Sequence, residues 1–212
     1  MTEERAIYAS APARTLVLAS GNPGKLRELR AMLHSLGWNV RSQDEWHVPS
    51  ADEDGLTFIE NALNKARHAA QHTGLPSLGD DSGLVVDALG GAPGIYSSRY
   101  AGEPSEAAAN NRKLLNDMQH VPPGKRTAHF YCALAMVRHA SDPSPLIATG
   151  SWHGSIMENP IGSGGFGYDP LFWVASHACT AAELDPAIKN RLSHRGQALA
   201  GLVGQLSNGP FD

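Results

Sequence analysis

Thr15–Leu36, TLVLASGNPGKLRELRAMLHSL, decides the fold. Thr15 to Ala19 is a short apolar run and predicts a buried strand. Ser20-Gly21-Asn22-Pro23-Gly24-Lys25 is rich in turn formers. Leu26, Leu29, Leu33 and Leu36 then fall at helical spacing, and Gly37 is a natural stop. The chain therefore opens as strand, glycine loop, helix, the start of an α/β fold.

The rest of the chain continues the alternation. Thr57-Phe-Ile-Glu60 reads as a capping box, and the helix behind it runs to about His72. Ile59, Ala62, Leu63, Ala66 and Ala70 form its expected buried stripe. Asp80-Asp81-Ser82-Gly83 sits between two short apolar stretches, the second being the strand-like Leu84-Val85-Val86. A helix is expected from Ser105 to about Met118. Ala128 to Arg138 and Leu146 to Ile156 predict a long hairpin. Thr180-Ala-Ala-Glu183 resembles another capping box, and Ser193 opens a final helix carrying Leu199, Leu202, Val203 and Leu206. Interleaved helices with a long hairpin imply a mixed sheet with flanking helices. Residues 1–14 read as a loose tail, and 15–208 as one domain.

Composition excludes several classes. The 212 residues carry a net charge of -4, so no general basic field exists to hold DNA or RNA. No apolar run is long enough to span a membrane, and the N-terminus lacks a signal-peptide core. Two cysteines, Cys132 and Cys179, fit no metal spacing and do not suggest a disulfide scaffold. The expected compartment is the cytoplasm.

Three clusters carry chemistry. A loop between strand and helix offers free amides and the positive end of a helix dipole. Ser20, Gly21, Asn22, Pro23, Gly24 and Lys25 in such a loop suit a phosphate chain, although the spacing is not that of a Walker loop. The same residues also describe a tight connection bearing a surface lysine. Asp80 and Asp81 are adjacent acids, which favour a cation between or beside them. Mg²⁺ accepts one or two carboxylates plus phosphate oxygens and waters, and a carboxylate there can take a proton from attacking water. Glu53, in a second acidic loop, is a candidate second ligand; a solvated turn is the alternative. Phe166-Gly167-Tyr168-Asp169 offers aromatic faces for a base, and Lys189, His194 and Arg195 offer donors for phosphate or keto oxygens. A hydrophobic anchor with a basic helix start explains that cluster equally well. His68 and His72 have metal-ligand spacing but face away from the apolar stripe, with no third ligand nearby. Ser82 lies in no local triad signature.

SGNPGKLRELRAML (20–33), TFIENALNKARHAA (57–70), GDDSGLVVDALGGAPGIYSSRYAG (79–102), GGFGYDPLF (164–172) and SHRGQAL (193–199) together resemble the inosine-triphosphate pyrophosphatase family, in particular its bacterial dITP/XTP branch. The resemblance spans about Leu16 to Leu206. It implies an elongated fold of two lobes around a nucleotide cleft, a homodimer, and Mg²⁺-dependent hydrolysis of non-standard purine triphosphates to monophosphate and pyrophosphate. By the same resemblance Ser20 to Lys25 and Lys65 hold phosphates. Asp81 is general base and metal ligand, Glu53 helps with the metal, and Ser82 touches substrate. Phe166 to Asp169 line the base and sugar pocket, and Lys189, His194 and Arg195 read the base. Gly79 departs from the small apolar residue expected there, and Asp52 and Asp54 crowd the Glu53 assignment.

Physical chemistry agrees with that picture. A triphosphate carries about four negative charges, of which Mg²⁺ offsets two. Lys25, Lys65 and helix-end amides can balance the rest. Donors facing a 6-keto oxygen would stay unpaired against the adenine amino group, a penalty of roughly 1–3 kcal/mol. Guanine shares the keto group, so its rejection must act at the 2-position. Two rival readings remain from sequence: a phosphatase forming a phosphoaspartate on Asp80 or Asp81, and a nucleotide sensor without turnover.

Overall fold

The computed structural model describes residues 14–34 and 37–207. The tail expected at 1–14 and the helix position Leu36 lie essentially outside these residues. A seven-stranded sheet runs in the order β2-β1-β3-β4-β5-β6-β7. The strands are β1 (Arg14–Leu18), β2 (Trp38–Ser42), β3 (Ser77–Val86), β4 (Thr127–Val137), β5 (Leu146–Ile156), β6 (Phe172–Val174) and β7 (Cys179–Thr180). β1 pairs in parallel with β2 and β3; every later pairing is antiparallel. The expected mixed sheet and the β4–β5 hairpin are both present.

Helices cover both faces. They are α1 (Pro23–Leu33), α2 (Phe58–Thr73), α3 (Ala107–Asp117), α4 (Pro186–Leu192) and α5 (His194–Leu206). Alternation along β4 sorts them. Cys132, Leu134 and Met136 pack with Leu29, Leu33, Ala198 and Leu202 of α1 and α5. Ala133, Ala135 and Val137 face the other way, against Ala62, Ala66 and Ala70 of α2. A further core, built on Leu84, Phe130, Trp152 and Phe172, fills the far end of the long strands.

Two glycines set how closely the helices sit. A Cβ on Gly79 would lie 1.9 Å from the Ala62 carbonyl oxygen, and one on Gly150 would lie 2.1 Å from that of His194. Bare backbone at these points lets α2 and α5 close on the sheet. The departure at Gly79 is thus a packing requirement of α2.

Several local expectations need correction. Asp80 to Gly83 is not a turn: the ten residues Ser77–Val86 form one strand, paired with β4 along their whole length. Ile59 is exposed, and Asn61 and Ala69 are buried in its place. Thr180 and Glu183 do exchange capping-type hydrogen bonds, but they close a turn. The helix after it, α4, starts at Pro186 and is capped by Asp185.

Candidate active site

β1 ends at Leu18, and its pairing with β3 stops at Leu78. β3 runs on to Val86, and Gly79 to Leu84 pair with no strand on that side, leaving an open edge before the bridge of Val85 to Pro93. A cavity of about 490 Å³ lies there, lined by the α1 loop, β3, Glu53, Lys65, Phe130, Phe166 to Asp169, Lys189, His194 and Arg195. Its size is that of a small-molecule site. Its position, beyond the C-terminal end of a strand flanked on both sides, is where α/β sheets bind ligands.

The α1 loop forms the first wall. Asn22 caps the helix, its side-chain oxygen accepting from the Gly24 and Lys25 amides at 2.8 and 3.3 Å. Pro23 takes the first helical position, where its missing N–H costs nothing. Ser20 Oγ accepts from the Asn22 amide. Lys25 folds back onto β3: its ammonium lies 2.8 Å from Asp80 Oδ1 and donates to the Asp80 carbonyl at 3.0 Å.

Strand geometry separates the two acids. Successive strand residues point to opposite faces, so Asp80 faces α5 and Asp81 faces α2. Asp80 is fully buried, with Arg195 Nε donating to it at 2.6 Å. Burial pushes its pKa up, but Arg195 and Lys25 outweigh that and hold the carboxyl well below its ordinary range. Asp81 instead accepts from Lys65 Nζ at 2.6 Å and from Asn61 Nδ2 at 3.4 Å.

Lys65 also lies 2.5 Å from Glu53 Oε1. One ammonium therefore bridges Glu53 and Asp81, although these residues come from a loop and a strand 28 positions apart. Burial would lower the Lys65 pKa, but Asp81 and Glu53 together raise it. Glu53 is also held by Arg99, and its pKa is lowered by both cations despite partial burial. Two convergent carboxylates at an open cavity are a fitting donor set for a hard divalent cation that takes its remaining ligands from phosphate and water. No larger cluster of metal-ligating side chains occurs among the described residues. The His68 and His72 rings meet at a tilt of 48°, and His68 Nε2 contacts the Pro49 carbonyl.

The opposite wall carries the late cluster. The Phe166 ring lies beneath Lys189 and Arg195, at 5.0 and 5.9 Å, and against Gly24. Asp169 is buried, accepts from the Phe166 amide and pairs with Lys189 at 2.7 Å. Tyr168 donates its hydroxyl to the Ser97 carbonyl, so it anchors the loop through its polar end. His194 stacks on Phe130 at 4.9 Å. Burial, with Arg195 beside it, keeps His194 neutral, well below the ordinary histidine range. Its Nδ1 is buried and has no hydrogen-bond partner among the described residues.

Arg195 is only 2% exposed, and all three of its nitrogens are engaged. Nε bonds Asp80, Nη1 bonds Glu28 at 2.5 Å, and Nη2 bonds Ser82 Oγ at 2.9 Å. It is held more tightly than a freely reaching base reader. Glu28, which also faces Lys189 at 3.6 Å, escaped the sequence reading, as did Asn61 and Arg99. Glu28 lies four positions after Gly24, one helical turn into α1, where nothing local sets it apart from a helix-surface acid. Every other residue singled out from sequence for substrate or metal lies at this cavity or supports one of its walls, and the two cysteines are free.

Known proteins resemble this chain in sequence and fold. The Ham1 family model matches residues 16–205. A dITP/XTP pyrophosphatase from Xanthomonas campestris is 60% identical over 191 residues, covering 90% of this chain and 96% of that protein. One from Vibrio cholerae is 56% identical over 186 residues, covering 88% and 93%. A solved HAM1 protein from Coxiella burnetii superposes with a TM-score of 0.85 at 48% identity, covering 92% of this chain and all of that one. The Staphylococcus aureus Ham1 structure gives 0.81 at 36% identity, covering 92% and 99%. With a match this long, and with the same sheet and helices, the chain belongs to the Ham1 family.

Proposed function

We propose that this chain hydrolyses dITP, ITP and XTP to the monophosphate and pyrophosphate with Mg²⁺, in the cytoplasm, as a homodimer of two-lobed chains spanning about residues 15–208. The observation that carries the reading is the pair of cationic arms reaching one open strand edge. Lys25 comes from the α1 loop and Lys65 from α2, and between them stands Asp81. The names of relatives such as the Xanthomonas protein point to the same substrates.

The triphosphate would lie along the α1 loop, with Ser20, Asn22 and Lys25 as donors and Lys65 on its far side. Asp81 would take the proton from the water that attacks the anhydride linkage, and Glu53 and Asp81 would hold the cation. Mg²⁺, when bound, neutralises developing charge on the phosphate oxygens. With Glu53 and Asp81 holding the cation, the Lys65 ammonium would be free to face phosphate. The buried, unpartnered Nδ1 of neutral His194 is suited to donate to a 6-keto oxygen. Phe166 supplies a face for the base, and Lys189 and Arg195 stand behind it.

No helix among the described residues is long and apolar enough to cross a membrane. Leu56, 86% exposed, with Ile59 and Tyr96, forms an apolar surface of the kind a second copy would bury, which supports the dimer. Light scattering tests that point. The activity is tested by turnover of dITP, XTP, dATP, dGTP and dTTP with Mg²⁺ and with EDTA. Preference for dITP and XTP, lost in EDTA, supports the reading; equal use of all five contradicts it.

The phosphatase rival loses its main support here. Asp80 is wholly buried and ion-paired, on the opposite face of the strand from Asp81. The two acids do not act as a pair.

A further inference from the structure

Asp80 has no place in the chemistry just described, yet it is the most densely contacted acid at the site. Its Oδ1 meets Lys25 Nζ at 2.8 Å, Ser82 Oγ at 3.0 Å and Arg195 Nη2 at 3.5 Å. Its Oδ2 meets Arg195 Nε at 2.6 Å. Lys25 stands at the phosphate wall and Arg195 at the base wall. We propose that Asp80 is a positioning residue that couples the two, so that phosphate binding at Lys25 sharpens base recognition around Arg195. The proposal rests on the pyrophosphatase reading above.

Lys25 and Arg195 share one carboxylate oxygen, and the contact of Lys25 is the shorter. A triphosphate draws the Lys25 ammonium outward, because three phosphates offer it more negative charge than one carboxylate already shared with a guanidinium. Oδ1 is then released to Ser82 and Arg195 Nη2. The guanidinium gains a second short contact with the same carboxylate, a bidentate geometry that fixes its plane. The central carbon of that guanidinium lies over Phe166, whose ring is the proposed platform for the base. Glu28 holds Nη1 and Ser82 holds Nη2, so the change is a shortening of the 3.5 Å contact between Nη2 and Asp80 Oδ1. A ligand carrying a base but no phosphate chain leaves Lys25 on Asp80 and the guanidinium less fixed.

Substituting the phosphate-wall lysine should therefore change base selectivity, although Lys25 does not reach the base. The discriminating quantity is the ratio of kcat/KM for dITP over dATP. Lys25→Met is expected to lower that ratio by about tenfold, within the usual range for groups in one network, beyond its general loss of kcat/KM. Asp80→Asn is expected to lower the ratio similarly, chiefly through KM, because Asp81 and Lys65 are untouched. In the Asp80→Asn background, Lys25→Met should change the ratio no further. If Lys25→Met reduces turnover of dITP and dATP in equal proportion, the coupling is overturned. Melting temperatures identify a misfolded Asp80→Asn protein, and Lys25→Met, in the first turn of α1, then decides alone. Products formed by the wild type test the pyrophosphatase reading separately. A wild type without turnover would sink that reading, and the coupling would be decided by the ratio of dITP to dATP dissociation constants in wild type and Lys25→Met.

Discussion

Lys65 Nζ lies 2.6 Å from Asp81 Oδ1 and 2.5 Å from Glu53 Oε1, so a single cation joins a carboxylate of the central sheet to one from a loop. An ammonium there occupies the position that would suit a divalent ion, whose carboxylate ligands would be Glu53 and Asp81. Asp81→Asn keeps the hydrogen bond to Lys65 but removes the base. It should lower kcat by about 10²–10⁴-fold with dITP binding largely kept. Steady-state kinetics with calorimetric titration check this, and retained turnover refutes the role of Asp81.

The Phe166 ring carries two cations on one face. Phe166→Ala removes that support and the stacking surface for a base, worth roughly 1–3 kcal/mol. KM for dITP should rise about tenfold or more, while kcat changes less. An unchanged KM would show that the base lies elsewhere.

His194 is buried and neutral, between Arg195 and Lys189, with Asp80 and Lys25 also near. Its folded pKa lies below the ordinary 6.5, so the unfolded chain binds the proton first. The stabilising contribution is complete above about pH 6.5 and declines as pH falls toward the folded value. Melting temperature should therefore drop on acidification below pH 6.5, and less so in His194→Gln. An identical acid response in both proteins contradicts the assignment.

Gly79 leaves no room for a side chain beneath the Ala62 carbonyl. Gly79→Val should cost about 1–3 kcal/mol or more by forcing α2 outward. Because α2 carries Lys65, the variant should also lose activity in its folded fraction. Urea denaturation and active-site titration measure the two effects.

The first unit was readable because local and tertiary signals agree there. Apolar β1, the capped Asn22-Pro23 start and the leucine spacing of α1 all point to one structure. Asp80 to Gly83 misled for the opposite reason. Acids and glycine disfavour strands locally, whereas full pairing with β4 and the burial of Asp80 beside Arg195 override that preference. The site residues nearest the motifs could be found from sequence. Glu28 could not, because it looks like any helix-surface acid until the fold brings Arg195, 167 positions later, against it.

The central claim is that the anhydride is cut to leave pyrophosphate, and phosphorus NMR of the products from dITP and Mg²⁺ tests it most directly. The account predicts deoxyinosine monophosphate and pyrophosphate in equal amounts, with no diphosphate. Deoxyinosine diphosphate with orthophosphate would contradict it.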